Sequence, residues 1–163
     1  MKKNMIKRAL TVSLASLMAI SSALPVNMLT ASAVAQSGSC GEDIYWAFNP
    51  NGELTIYGSG VMDNFAQHRA PWKYTYTFER AVKKVTILDG VTNISCNAFS
   101  NLPNLTTVTI PDSVEMIGLN AFRDSTHLEY VYMTPTDRVI IDGAFAGTKY
   151  AETYLTTEEL SYM

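Results

Sequence analysis

The sequence predicts a mainly β fold: a short solenoid of 23-residue coils behind an N-terminal cap built from a β-hairpin and a short helix. Three observations predict it. Apolar residues recur at a spacing of 23, as Phe99, Phe122 and Phe145 do. Each recurrence follows an alternating apolar run, clearest in Leu105-x-x-Val108-x-Ile110. From Gly38 to Arg80 the period is absent, and two β-rich runs flank an Asn-Gly turn signal there.

In chain order, the first element is a leader. Lys2, Lys3, Lys7 and Arg8 precede the uncharged, mostly apolar run Ala9–Ile20. Ala31-Ser32-Ala33 and Ala33-Val34-Ala35 are small-residue cleavage patterns, so residues 1–35 read as a secretory signal peptide. The competing reading is a membrane anchor, but the apolar run falls short of the roughly 20 residues a span needs. The leader holds four of the 12 basic residues and no acid. Residues 36–163 therefore carry 8 bases against 15 acids, a net charge of −7. That balance suits neither nucleic acid nor an anionic lipid surface. No other apolar run is long enough to span, so no membrane insertion is expected after cleavage.

Residues 36–81 read as the cap. "IYWAF" and "ELTIYGSG" are the strands around Asn49-Pro50-Asn51-Gly52. Pro71, followed by Phe78 and Val82 four apart, suggests a short helix. A solenoid needs its open end covered, so a cap is expected on physical grounds.

Residues 82–156 read as about three coils. Ala98, Ala121 and Ala144 align at the period, as do Ile94, Ile117 and Ile140. So do Val82, Leu105, Leu128 and Ala151, and Val85, Val108, Val131 and Tyr154. Ile87, Ile110 and Met133 form another column, whereas Val91 and Val114 are followed by Asp137. Leu105, Val108 and Ile110 point inward along a short strand, and the chain turns at Pro111-Asp112-Ser113 because proline cannot continue a ladder. One coil cannot bury such a set alone; stacked coils bury it as a column. A period of 20–29 with this pattern is that of a short leucine-rich-repeat solenoid. After Phe145 the pattern fades, and "GTKYAETYLTTEELSYM" reads as a short helix or a frayed coil, with residues 157–163 as a tail.

"ILDGVTNISCNAF" and "IPDSVEMIGLNAF" resemble the BspA-type leucine-rich repeat. The resemblance has departures. The cysteine column of that family is Leu102, Ser125 and Thr148 here, and its glycine is kept at Gly118 but is Ser95 one coil earlier. "SGSCGEDIYWAF", "GELTIYGSGVMDNF", "APWKY" and "VKKVTILDGVTNI" are similar to a cap segment that precedes such repeats in secreted bacterial proteins. The resemblance implies a secreted or cell-surface bacterial protein with an adhesive role.

Residues that carry chemistry are sparse. His68 and His127 stand alone, without cysteines or carboxylates at ligand spacing, so no metal or cofactor is expected. "GSG" at Gly58–Gly60 is a turn, too short for a phosphate loop or a nucleophile elbow. Glu42-Asp43 and Glu158-Glu159 are adjacent pairs, and adjacent strand residues face opposite ways. Cys96 has no histidine nearby in sequence, so a catalytic thiol is not expected. Cys40 and Cys96 are read as free thiols by default; a disulfide between them and a lipid anchor on Cys40 are the alternatives. Asn93-Ile94-Ser95 and Asn104-Leu105-Thr106 match the glycosylation sequon but fall at core positions of the repeat.

What the solenoid offers is a surface. Residues between the inward positions face out: Lys84 and Thr86, Thr107 and Thr109, then Tyr130 and Tyr132, flanked by Arg123 and Glu129. Tyrosine gives rigid area with a polar tip, which suits recognition. The competing reading is that Tyr130 and Tyr132 only shield a terminal strand. The expectation is a non-enzymatic module binding a protein or glycan on a host or neighbouring cell surface. The alternatives are a structural cap-and-repeat unit that self-associates through sheet edges and, weakest, a small secreted hydrolase or enzyme accessory.

Overall fold

The computed structural model describes residues 36–65, 69–135 and 137–154. Two sheets wrap one core. The larger has six strands in the order β1 (Gln36–Ser39), β2 (Ile44–Phe48), β3 (Glu53–Gly58), β4 (Lys84–Ile87), β6 (Thr107–Thr109), β8 (Tyr130–Tyr132). The smaller pairs β5 (Asn93–Ile94), β7 (Met116–Ile117) and β9 (Val139–Ile140), all parallel. β1 to β3 are antiparallel, whereas β3 onward is parallel, so the cap hairpin continues directly into the solenoid sheet.

The hairpin forms as the sequence indicates. Asn49 Oδ1 accepts from the Asn51 and Glu53 N–H groups at 3.0 and 3.1 Å, and Gly52 closes the turn at φ 90°. The expected helix is divided. Pro71–Lys73 is a 3₁₀ turn, and α1 (Tyr76–Ala81) starts afresh because the Thr75 side chain caps the Phe78 N–H at 3.1 Å. Val82 lies just past α1, buried, at the start of the first coil.

Each coil repeats the same physics. Its strand inserts Val85 or Val108, and its far side inserts Phe99, Phe122 or Phe145; all are fully buried. The phenylalanines stack with centroids 5.4 and 5.0 Å apart and ring planes within 18° and 7°. Asn97, Asn120 and Gly143 share one column and a left-handed backbone, at φ 56°, 56° and 72°. Asparagine and glycine tolerate that turn, which is why the coil reads Asn-Ala-Phe or Gly-Ala-Phe. The stack extends into the cap: Trp72 lies on Phe99 at 5.2 Å and 12°, and its Nε1–H donates to the Ala98 carbonyl at 2.8 Å.

Serine hydroxyls tie coil to coil. Ser125 Oγ donates to the Phe99 carbonyl at 2.7 Å and accepts from the Leu102 N–H at 3.1 Å. Ser113 Oγ likewise donates to the Val91 carbonyl at 3.0 Å and accepts from the Gly90 N–H at 3.1 Å. The glycine departure also has a physical reason. A Cβ on Gly118 would lie 2.8 Å from the Cys96 nitrogen of the preceding coil. The first coil has no coil before it, and there Ser95 Oγ accepts from the cap's Phe65 N–H at 3.2 Å.

Of the two readings of the chain end, a helix forms: α2 (Lys149–Tyr154) follows the third coil. Thr148 Oγ1 accepts the Ala151 N–H at 3.1 Å, and Ala151 is buried. Tyr154 is therefore a helical residue, 57% exposed, and not the inward strand residue of a fourth coil.

Candidate functional site

The strand register sets the candidate site residues in two rows. Glu53, Lys84, Thr107 and Tyr130 pair in one, and Thr55, Thr86, Thr109 and Tyr132 in the other. Those of β4 and β6 alternate with buried positions and those of β8 with the half-buried Val131, so the six residues singled out in the sequence share the outer face. Lys84 forms a half-exposed pair with Glu53 at 3.8 Å, extending the face into the cap. The threonines are half-buried, while Tyr130 and Tyr132 are 46% and 60% exposed.

The tyrosines do more than end the rows. They line a hollow of about 270 Å³ with Glu129, Val131, Tyr150 and Tyr154. Strand alternation places Tyr130 and Tyr132 on one face, and the i, i+4 spacing places Tyr150 and Tyr154 on one side of α2. The Tyr150 and Tyr154 rings lie 5.6 Å apart at 39°, and Tyr150 packs on Phe145 at 5.3 Å. Lys149 Nζ donates to Glu129 Oε2 at 2.7 Å across the rim. That bond holds the Glu129 carboxyl below its ordinary range and the Lys149 ammonium above its own. The Glu129 charge beside it raises the Tyr130 phenol. Arg123, the other flanking residue, pairs with its neighbour Asp124 at 3.3 Å.

Sequence reasoning missed Tyr150 and Tyr154. Their signal was the Tyr-x-x-x-Tyr spacing, legible only once the segment is taken as helix.

A second, more open hollow of about 510 Å³ adjoins it, lined by Ile110, Pro111, Asp112, Val131, Tyr132, Met133 and Thr134. Both border β8, the last strand of the sheet among the described residues.

The other singled-out residues lie elsewhere. Cys40 and Cys96 are free thiols; Cys40 is buried in the cap, where desolvation, reinforced by Asp63, raises its pKa. Cys96 is half-buried. His127 is exposed beside Thr126, at 3.3 Å, and His68 lies outside the described residues. Asn93, of the first sequon, spends its side-chain oxygen on the cap's Met62 N–H at 2.6 Å, and Asn104 donates to the Arg80 carbonyl at 2.7 Å. Among the described residues no three His, Cys, Asp or Glu side chains cluster to hold a metal. Among them, too, no helix is long and apolar enough to cross a membrane. The leader and the final segment 155–163 lie outside the described residues.

Residues 73–162 match the family model described as "BspA type Leucine rich repeat region (6 copies)", more than half the chain. A solved structure, a leucine-rich repeat protein from Eubacterium ventriosum, is similar at 27% identity and a TM-score of 0.63. The likeness covers 69% of this chain and 30% of that one, so this chain spans a minor part of that protein's length. No curated protein matches significantly.

Proposed function

We propose a role in recognition for this chain, which belongs to the BspA-type leucine-rich repeat family: a secreted or cell-surface module that binds a protein or glycan without catalysis, in the service of adhesion. One observation carries the reading. The shared apolar columns are buried in the first two coils, and the outward positions form two registered rows that pass from lysine and threonine to exposed Tyr130 and Tyr132. Repetition thus fixes a scaffold and leaves the outward positions to vary. The basic start and apolar run of residues 1–35 support export.

The test is a binding screen of the chain over mucin-type glycans, matrix proteins and bacterial surface extracts, with the Tyr130→Ala/Tyr132→Ala variant alongside. Capture by the wild type that is lost in the folded variant is the expected result. Capture that is indifferent to both tyrosines would move the recognition surface elsewhere.

A structural role by self-association is favoured by a different observation. Among the described residues β8 is an edge strand, and the inward residues Val131 and Met133 beside it are only half-buried. A mass that rises with concentration and falls on Val131→Lys would select it.

A further inference from the structure

We infer that the hollow between β8 and α2 is a binding site for a single neutral saccharide ring. The inference rests on the recognition reading above and names the chemistry of its ligand.

The lining is four tyrosines, one valine and one glutamate. Tyrosine rings offer flat apolar faces and hydroxyl tips, and each ring orders few torsions on binding. A pyranose has the matching anatomy, apolar C–H faces and a hydroxyl rim. The tilted Tyr150 and Tyr154 rings and the alternating Tyr130 and Tyr132 supply walls from two separate elements.

Charge argues for a neutral ligand. Among the described residues, the carboxylate and the ammonium at the rim already satisfy each other at 2.7 Å. An anion would meet Glu129, and a cation would compete with Lys149 for the carboxylate. A ligand hydroxyl can instead join the existing pair as donor to Glu129 or acceptor from Lys149 without separating charge. Size argues for one ring. About 270 Å³ lies just under the range of roughly 300–1,000 Å³ that takes drug-sized ligands.

The test titrates the full chain with the methyl glycosides of glucose, galactose, mannose and N-acetylglucosamine, following tyrosine ring resonances by NMR. Parallel titrations use a proline-rich and an arginine-rich peptide. The expected result is that at least one glycoside shifts the rings of Tyr130, Tyr132, Tyr150 and Tyr154, and that Tyr154→Ala weakens it about tenfold or more. Tyr154 is largely exposed, so its variant should melt with the wild type; Tyr132→Ala provides the same reading from the other wall. Glycoside binding untouched by either variant would overturn the site. Tyrosine-dependent binding of a peptide, and of no glycoside, would overturn the ligand class. A chain that ignores every glycoside yet captures a protein in the screen keeps its recognition role and loses this inference. A chain that captures nothing loses both.

Discussion

The two ends of the solenoid are closed differently. At the cap end every inward column is sealed: Val85, Ile94 and Phe99 are fully buried and Ile87 nearly so. Trp72 stands where a phenylalanine of a preceding coil would, and β3 continues the sheet in parallel. Side chains stitch the seam. Lys73 Nζ donates to Ser100 Oγ at 2.8 Å and the Asn97 carbonyl at 3.2 Å, and burial lowers its pKa. At the other end the phenylalanine side is sealed by Tyr150 over Phe145, and Leu128 is buried as well. On the strand side Val131, Met133 and Ile140 are half-buried where their counterparts one coil back are at most 2% exposed. The same columns thus serve as core at one end and border a tyrosine-lined surface at the other. Position in the stack, as much as residue type, decides between them.

Four variants break or sharpen that contrast. The largest effect is expected for Trp72→Ala at the sealed end. It removes a fully buried ring and its hydrogen bond, and should cost about 3–5 kcal/mol by denaturant unfolding. Ser125→Ala tests the seams between coils. It leaves the buried Leu102 N–H unpaired and should cost about 1–3 kcal/mol, also by denaturant unfolding. Tyr130→Ala with Tyr132→Ala tests the open end, and a loss within about 1 kcal/mol is expected because both rings are substantially exposed. The smallest effect belongs to Lys149→Ala. It should let the Glu129 carboxyl return upward toward its ordinary range in an NMR titration while the melting point at neutral pH barely moves. The sign follows from linkage. Because Glu129 is depressed in the folded chain, its small contribution is present above the ordinary glutamate range and fades as pH falls through the folded value.

The repeat was legible because burial recurs at a fixed spacing, so each column is an independent witness to the same coil. The hairpin was legible from Asn51-Gly52 and the alternation on either side. β1 was not, since "QSGS" has no strand propensity of its own and forms by pairing with β2. Gly38 there lies under Trp46, where a Cβ would come within 3.0 Å of the indole nitrogen. The two-residue strands of the smaller sheet are too short to show alternation. Of the site, the outward rows could be read from strand alternation. The hollow could not, because half of its wall comes from α2. The 23-residue alignment set Ala151 and Tyr154 in the columns of a fourth coil, and the helix overrode it. Ala151 is buried and Tyr154 turned out beside Tyr130 and Tyr132.

The central claim is that the residues the coils share hold the fold, and the residues in which they differ are free for recognition. Thermal melting of Phe122→Ala beside the Tyr130→Ala/Tyr132→Ala variant tests it most directly. Phe122 is fully buried between two stacked rings, so its loss should cost about 3–5 kcal/mol and lower the melting point by roughly 10–20 °C. The double tyrosine variant should melt within a few degrees of the wild type. A tyrosine variant that unfolds as early as Phe122→Ala would show those rings to be part of the core and contradict the account.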